Sequence, residues 1–145
     1  MTRPASAGTY LLNPEGFSHA PFSNEGCVLF VKLRQYSGPN RRQLIVDTNE
    51  GAWQARPTQG ISVLPLYEED GQAESVRLVR FAPGTAFPEH DHPGGEEIFV
   101  LDGDLRDEHG QYEAGSWVRH PPGSRYTAVS DGGCTLYVKS GHLPP

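Results

Sequence analysis

The chain has 145 residues and a formal net charge of -6. That length is enough for one domain with its own core, and the acidic balance argues against nucleic acid or an acidic membrane surface as the main partner. No apolar run approaches the length of a membrane span, and the opening Met-Thr-Arg-Pro-Ala-Ser-Ala-Gly has no secretory apolar segment, so the expected location is the cytoplasm.

The 17 glycines and 13 prolines recur between short apolar runs, which predicts many turns and an all-β fold. In chain order, the strand-like runs are residues 27–33 (Cys-Val-Leu-Phe-Val-Lys-Leu), 43–47, 60–67, 76–81, 97–101 and 134–139. Residues 104–107 and 111–114 flank Glu108-His109-Gly110 and read as a hairpin whose tip leaves His109 in solvent. Residues 37–42 read as a loop, and no 3.6-residue period sustains a long helix. Cys27 and Cys134 form neither a disulfide framework nor a metal pair, so both are expected as free thiols.

Residues 84–103 carry the chemistry. His90 and His92 are two apart, so on a strand both imidazoles face one side. A turn at Pro93-Gly94-Gly95 lets a second strand bring Glu96 back toward them. Two imidazoles and a carboxylate suit one divalent ion (Fe, Mn or Zn) and leave coordination positions open. Ligand imidazoles must be neutral, so binding is expected to weaken below about pH 6. Glu97 competes with Glu96 for the third place; a slip of one residue exchanges the faces of this strand.

There is also an internal repeat. Gly8, Pro14, Gly16, Ser23, Cys27 and Lys32 recur as Gly115, Pro121, Gly123, Ser130, Cys134 and Lys139, at a constant offset of 107 residues. His19 falls opposite Tyr126.

The spacing G-x5-H-x-H-x3-E-x6-G from Gly84 to Gly103 resembles the first signature of the cupins. Both repeat copies resemble the second, G-x5-P-x-G-x2-H. The stretches around Glu96, Arg119 and Gly133 resemble the cupin domain of the ChrR anti-sigma factors and its stand-alone relatives. The resemblance implies a single-domain cupin (RmlC-like) jelly-roll barrel over residues 43–145. The order second, first, second motif looks like a two-cupin protein reduced to the last strands of its first barrel. Residues 1–42 are then a strand segment that packs on or extends the barrel. An exposed strand edge invites pairing, so homodimerisation through residues 8–36 is expected. The chain lacks the H-x3-C-x2-C pattern of the ChrR zinc domain, so sigma-factor binding does not carry over.

In the resemblance the histidine of the second signature supplies another metal ligand, and Tyr126 stands in its place. Tyr126 is a phenolate ligand, a hydrogen-bonding catalytic or pocket residue, or a space filler. His120 and His19 are weaker ligand candidates. Arg77 and Arg80, three apart, face opposite ways; either could enter the barrel mouth and hold an anionic small molecule, the alternative being surface or interface positions. Trp53 and Trp117 read as core or interface residues, and His142 has no motif around it. Two functions stay open: an Fe(II)- or Mn(II)-dependent dioxygenase of a small organic acid or diketone, and a non-catalytic ChrR-like sensor or binding module.

Overall fold

The computed structural model describes residues 4–145. Among the described residues no α-helix forms, and no helix is long and apolar enough to cross a membrane. The chain divides into two compact units, residues 1–51 and 52–145.

In the first unit, β1 (Thr9–Leu12) pairs antiparallel with β2 (Leu44–Asp47), and a single 3-10 turn, Thr48–Glu50, follows. Asp47 caps that turn by accepting from the Asn49 backbone N–H. Residues 27–33, expected as a strand, form none here. Their composition favours a strand, but a strand exists only through hydrogen-bonded neighbours.

The second unit is a curled antiparallel sheet of nine strands among the described residues. They are β3 (Gln54–Ala55), β4 (Ile61–Tyr67), β5 (Ser75–Phe81), β6 (Thr85–His92), β7 (Glu96–Arg106), β8 (Gln111–Glu113), β9 (Trp117–His120), β10 (Ser124–Ser130) and β11 (Cys134–Ser140). The order is β3-β4-β5-β11-β7-β10-β6, with β8 and β9 also on β7. This is the architecture of a cupin jelly roll, and the expected hairpin appears as the end of β7 pairing with β8.

Alternation builds the core. Cys134, Leu136 and Val138 of β11 point inward, beside Ile98 and Val100 of β7 and Ile61, Val79 and Phe81 from β4 and β5. Burying each large aliphatic side chain contributes about 1.5–3 kcal/mol. β7 holds the fold together because its first half pairs with β11 and β9 and its last residues pair with β8 and β10. Gly103 sits at the change of partners with φ +81°. A Cβ there would lie 2.0 Å from the Gly133 carbonyl oxygen, so only glycine fits.

Candidate metal centre

Three pairings assemble the site. His90 lies opposite Tyr126, and His92 opposite Ser124, where β6 meets β10. Glu96 opens β7 and lies opposite Ser140 of β11 on one side and His120 of β9 on the other. Paired residues share a face, so Ser140, Glu96 and His120 form one row across the sheet.

The His90 and His92 rings stand 4.3 Å apart, centroid to centroid. His90 Nδ1 lies 3.0 Å from the Pro88 carbonyl oxygen. A carbonyl only accepts, so Nδ1 carries the proton and Nε2 keeps its lone pair. Metal-ligating histidines are commonly oriented by such a bond. His92 is buried, and its Nε2 has no hydrogen-bond partner. Burial, opposed by Glu96, holds the His92 pKa below the usual histidine value and keeps the ring neutral.

The carboxylate of Glu96 is committed to three donors. Tyr126 donates its hydroxyl to Oε1, while Ser140 Oγ at 2.9 Å and Arg77 Nη2 at 3.1 Å donate to Oε2. Arg77 Nη1 also reaches Ser140 Oγ at 3.1 Å. His92 Nδ1 lies 3.6 Å from the same carboxylate, too far for a hydrogen bond. Among the described residues, no three His, Cys, Asp or Glu side chains converge in a metal-holding arrangement. The donor chemistry nevertheless fits a divalent ion. Two imidazoles have unprotonated or unpartnered nitrogens side by side, and a carboxylate accepting three bonds keeps room for about one more.

Tyr126 is stacked between two imidazoles, His92 at 4.8 Å and His120 at 3.9 Å. Burial first, then Glu96, pushes its phenol pKa far above the ordinary value, so the ring stays neutral and donates. The hydroxyl hydrogen is given to Glu96. His120 is buried, and its Nε2 faces Asp107 Oδ2 at 3.6 Å, with neither atom hydrogen-bonded. Burial holds its pKa down, with Asp107 pulling the other way.

Other candidates fall elsewhere. Glu97 is buried on the opposite face of β7, where His142 Nε2 lies 3.0 Å from Oε2 and Arg119 Nε 3.8 Å from Oε1. His142 therefore has a setting that no local motif announced. Arg80 stacks over Trp53 at 3.9 Å, while Trp117 is largely exposed. His19 is exposed, with Nδ1 3.4 Å from Asn13 Nδ2. His109 is exposed at its hairpin tip, and both cysteines are free.

The family model for the ChrR Cupin-like domain matches residues 41–144. The chain belongs to the ChrR cupin-like domain family. Among solved structures it is similar to a chain of the Rhodobacter sphaeroides complex of SigE with the anti-sigma ChrR. Identity is 26%, TM-score 0.57, with 63% of this chain and 50% of that chain covered. The chain thus spans half the length of that match. An RmlC-like cupin from Ralstonia eutropha JMP134 matches at 20% identity and TM-score 0.60, covering 66% of each chain. A putative acetylacetone dioxygenase from Methylibium petroleiphilum PM1 matches at 16% identity and TM-score 0.66, covering 74% of this chain and 85% of that one. At such identities these two show the fold alone. A search of the curated proteins finds no match.

Proposed function

We propose that this ChrR-like cupin holds one divalent metal ion through His90 and His92, with Glu96 as third donor, and acts as a dioxygenase on a small organic acid or diketone. The observation that carries the metal assignment is the imidazole pair: adjacent rings, His90 fixed by the Pro88 carbonyl, and a buried His92 Nε2 without a partner. An Fe(II) or Mn(II) ion held by His90, His92 and Glu96 would supply the redox chemistry that a dioxygenase needs. The chain's own residues define the rest. Tyr126 offers a neutral hydroxyl that a substrate oxygen can share with Glu96. Arg77 places a positive charge beside the carboxylate and favours an anionic ligand.

Family membership supports a second reading, a non-catalytic sensor or binding module holding zinc, which has no redox chemistry of its own. Metal analysis of the purified protein, with oxygen uptake on a panel of small acids and diketones, separates the two. Iron or manganese with oxygen consumption supports the dioxygenase. Stoichiometric zinc without turnover removes it and leaves the sensor. Substituting both His90→Ala and His92→Ala should abolish metal binding; metal content that survives the double change rejects the site under either reading.

A further inference from the structure

After β11 the chain crosses the turn that joins two of the proposed ligands, His92 and Glu96. Gly141, at φ +82°, makes the bend, and a Cβ there would lie 2.1 Å from the Ala73 carbonyl oxygen. Gly141 N then donates to Gly95 O at 3.0 Å, and Leu143 N to Gly94 O at 3.1 Å. The turn itself is closed by Gly95 N, which donates to His92 O at 3.0 Å. Leu143 is buried over Gly95, where a Cβ would lie 2.7 Å from its Cδ1. Residues 141–143 are thus a strap over Pro93-Gly94-Gly95, held by two backbone hydrogen bonds and one apolar side chain.

The same segment grips both faces of the first two residues of β7. Before the bend, Ser140 Oγ donates to Glu96 Oε2 at 2.9 Å on the inner face. After the bend, His142 Nε2 lies 3.0 Å from Glu97 Oε2 on the outer face. Glu96 and Glu97 are 4% and 3% exposed, so both carboxylates are buried. Adjacent strand residues point to opposite faces, and a slip of one residue would exchange them. Charge alone therefore does not choose which of the two turns toward His92. A buried carboxylate needs polar partners, and the C-terminal segment supplies different ones on the two faces: a hydroxyl inside and an imidazole outside.

We infer that His142 is a positioning residue for the proposed centre: by holding Glu97 outward, it fixes Glu96 as the carboxylate that faces His92. The inference rests on the reading of His90, His92 and Glu96 as the metal donors. His142 acts through Glu97, on the face of β7 opposite the imidazole pair. Leu143 supports it by keeping the strap on the turn, so the placing of Glu96 against His92 is set from outside the site. Without the imidazole, the buried Glu97 carboxylate loses a partner on the outer face, and the register of Glu96 loosens with it.

The test compares the full-length wild type with His142→Ala, His142→Leu and His142→Gln. Leucine fills space without a polar group, whereas the glutamine amide can offer an N–H to Glu97. In the metal-free proteins, the His92 ring resonances by NMR should shift in the Ala and Leu variants and return to their wild-type positions in the Gln variant. In a chelator competition, cobalt(II) affinity should fall about tenfold or more in the Ala and Leu variants and recover in the Gln variant. Leu143→Ala, which trims the strap and keeps the imidazole, should shift His92 in the same way and serves if the His142 variants do not fold. Unchanged His92 resonances in the Ala and Leu forms overturn the positioning role. A Gln variant that behaves like the Leu variant also overturns it, because His142 would then act by shape alone. A wild type that binds no cobalt(II), with the His92 shifts still present, rejects the metal reading and leaves His142 as the residue that sets Glu96.

Discussion

Tyr126 donates its hydroxyl hydrogen to Glu96 Oε1, and its ring lies between those of His92 and His120. Under the proposed metal assignment, Tyr126 would compete with the ion for Glu96. Tyr126→Phe keeps the ring stack but withdraws one of the three donors to a buried carboxylate. It should destabilise the metal-free protein by about 1–3 kcal/mol, measured by urea unfolding. Tyr126→His should tighten metal binding about tenfold or more in a chelator competition. Because the Tyr126 hydroxyl hydrogen is donated to Glu96, adding ferric iron to wild type should produce no phenolate charge-transfer colour. Such a band would show Tyr126 acting as a ligand.

Arg77 makes a second test of the same balance. Its guanidinium donates to Glu96 Oε2 from a side chain that is 30% exposed. Arg77→Ala removes that donor and the positive charge beside the centre. The metal-free variant should lose about 1–3 kcal/mol, and added divalent metal should raise its melting temperature more than it raises that of wild type. Equal metal-induced shifts would show that Arg77 does not oppose the ion.

His90, His92 and Glu96 could be located from spacing alone, because a strand's two-residue period and one tight turn are local properties. Glu96 was favoured over its rival Glu97 by the six residues that separate it from Gly103. Arg77 was legible only as a candidate. Its route to Glu96 runs through β11, which separates β5 from β7, and strand order is not written in any local pattern. His120 was legible only as a weaker ligand candidate for a similar reason: its pairing with Glu96 depends on β9 docking against β7 across an intervening turn. The expected strand at residues 27–33 shows the opposite failure. Its composition and repeat position are right, but a strand also needs neighbours, and the single chain spends those on β11.

The turn that brings Glu96 back depends on Gly94. A Cβ there would lie 2.6 Å from the Gly141 Cα, a backbone atom that cannot rotate away. Gly141 N donates to Gly95 O at 3.0 Å and Leu143 N to Gly94 O at 3.1 Å, so residues 141–143 lie directly across the turn. Gly94→Ala should cost about 1–3 kcal/mol and displace His142 from Glu97. Thermal unfolding checks the first effect, and the His142 ring resonance by NMR the second. An unchanged melting temperature would mean that the C-terminal segment does not pack this closely.

Stability should also depend on pH through the stacked imidazoles. Burial holds His120 and His92 below the ordinary value of 6.5 in the folded state. Between the folded value and 6.5 the unfolded chain binds more protons, so stability rises with pH in that window. The contribution is complete above 6.5 and is lost as pH falls through the folded values. Each histidine adds at most about 1.4 kcal/mol per pH unit to the slope. His120→Gln removes one titrating ring without touching the proposed ligands, so its urea midpoint should fall less steeply than that of wild type as pH drops below 6.5. Parallel curves for the two proteins would mean that His120 titrates alike in both states, and that its burial beneath Tyr126 does not persist in solution.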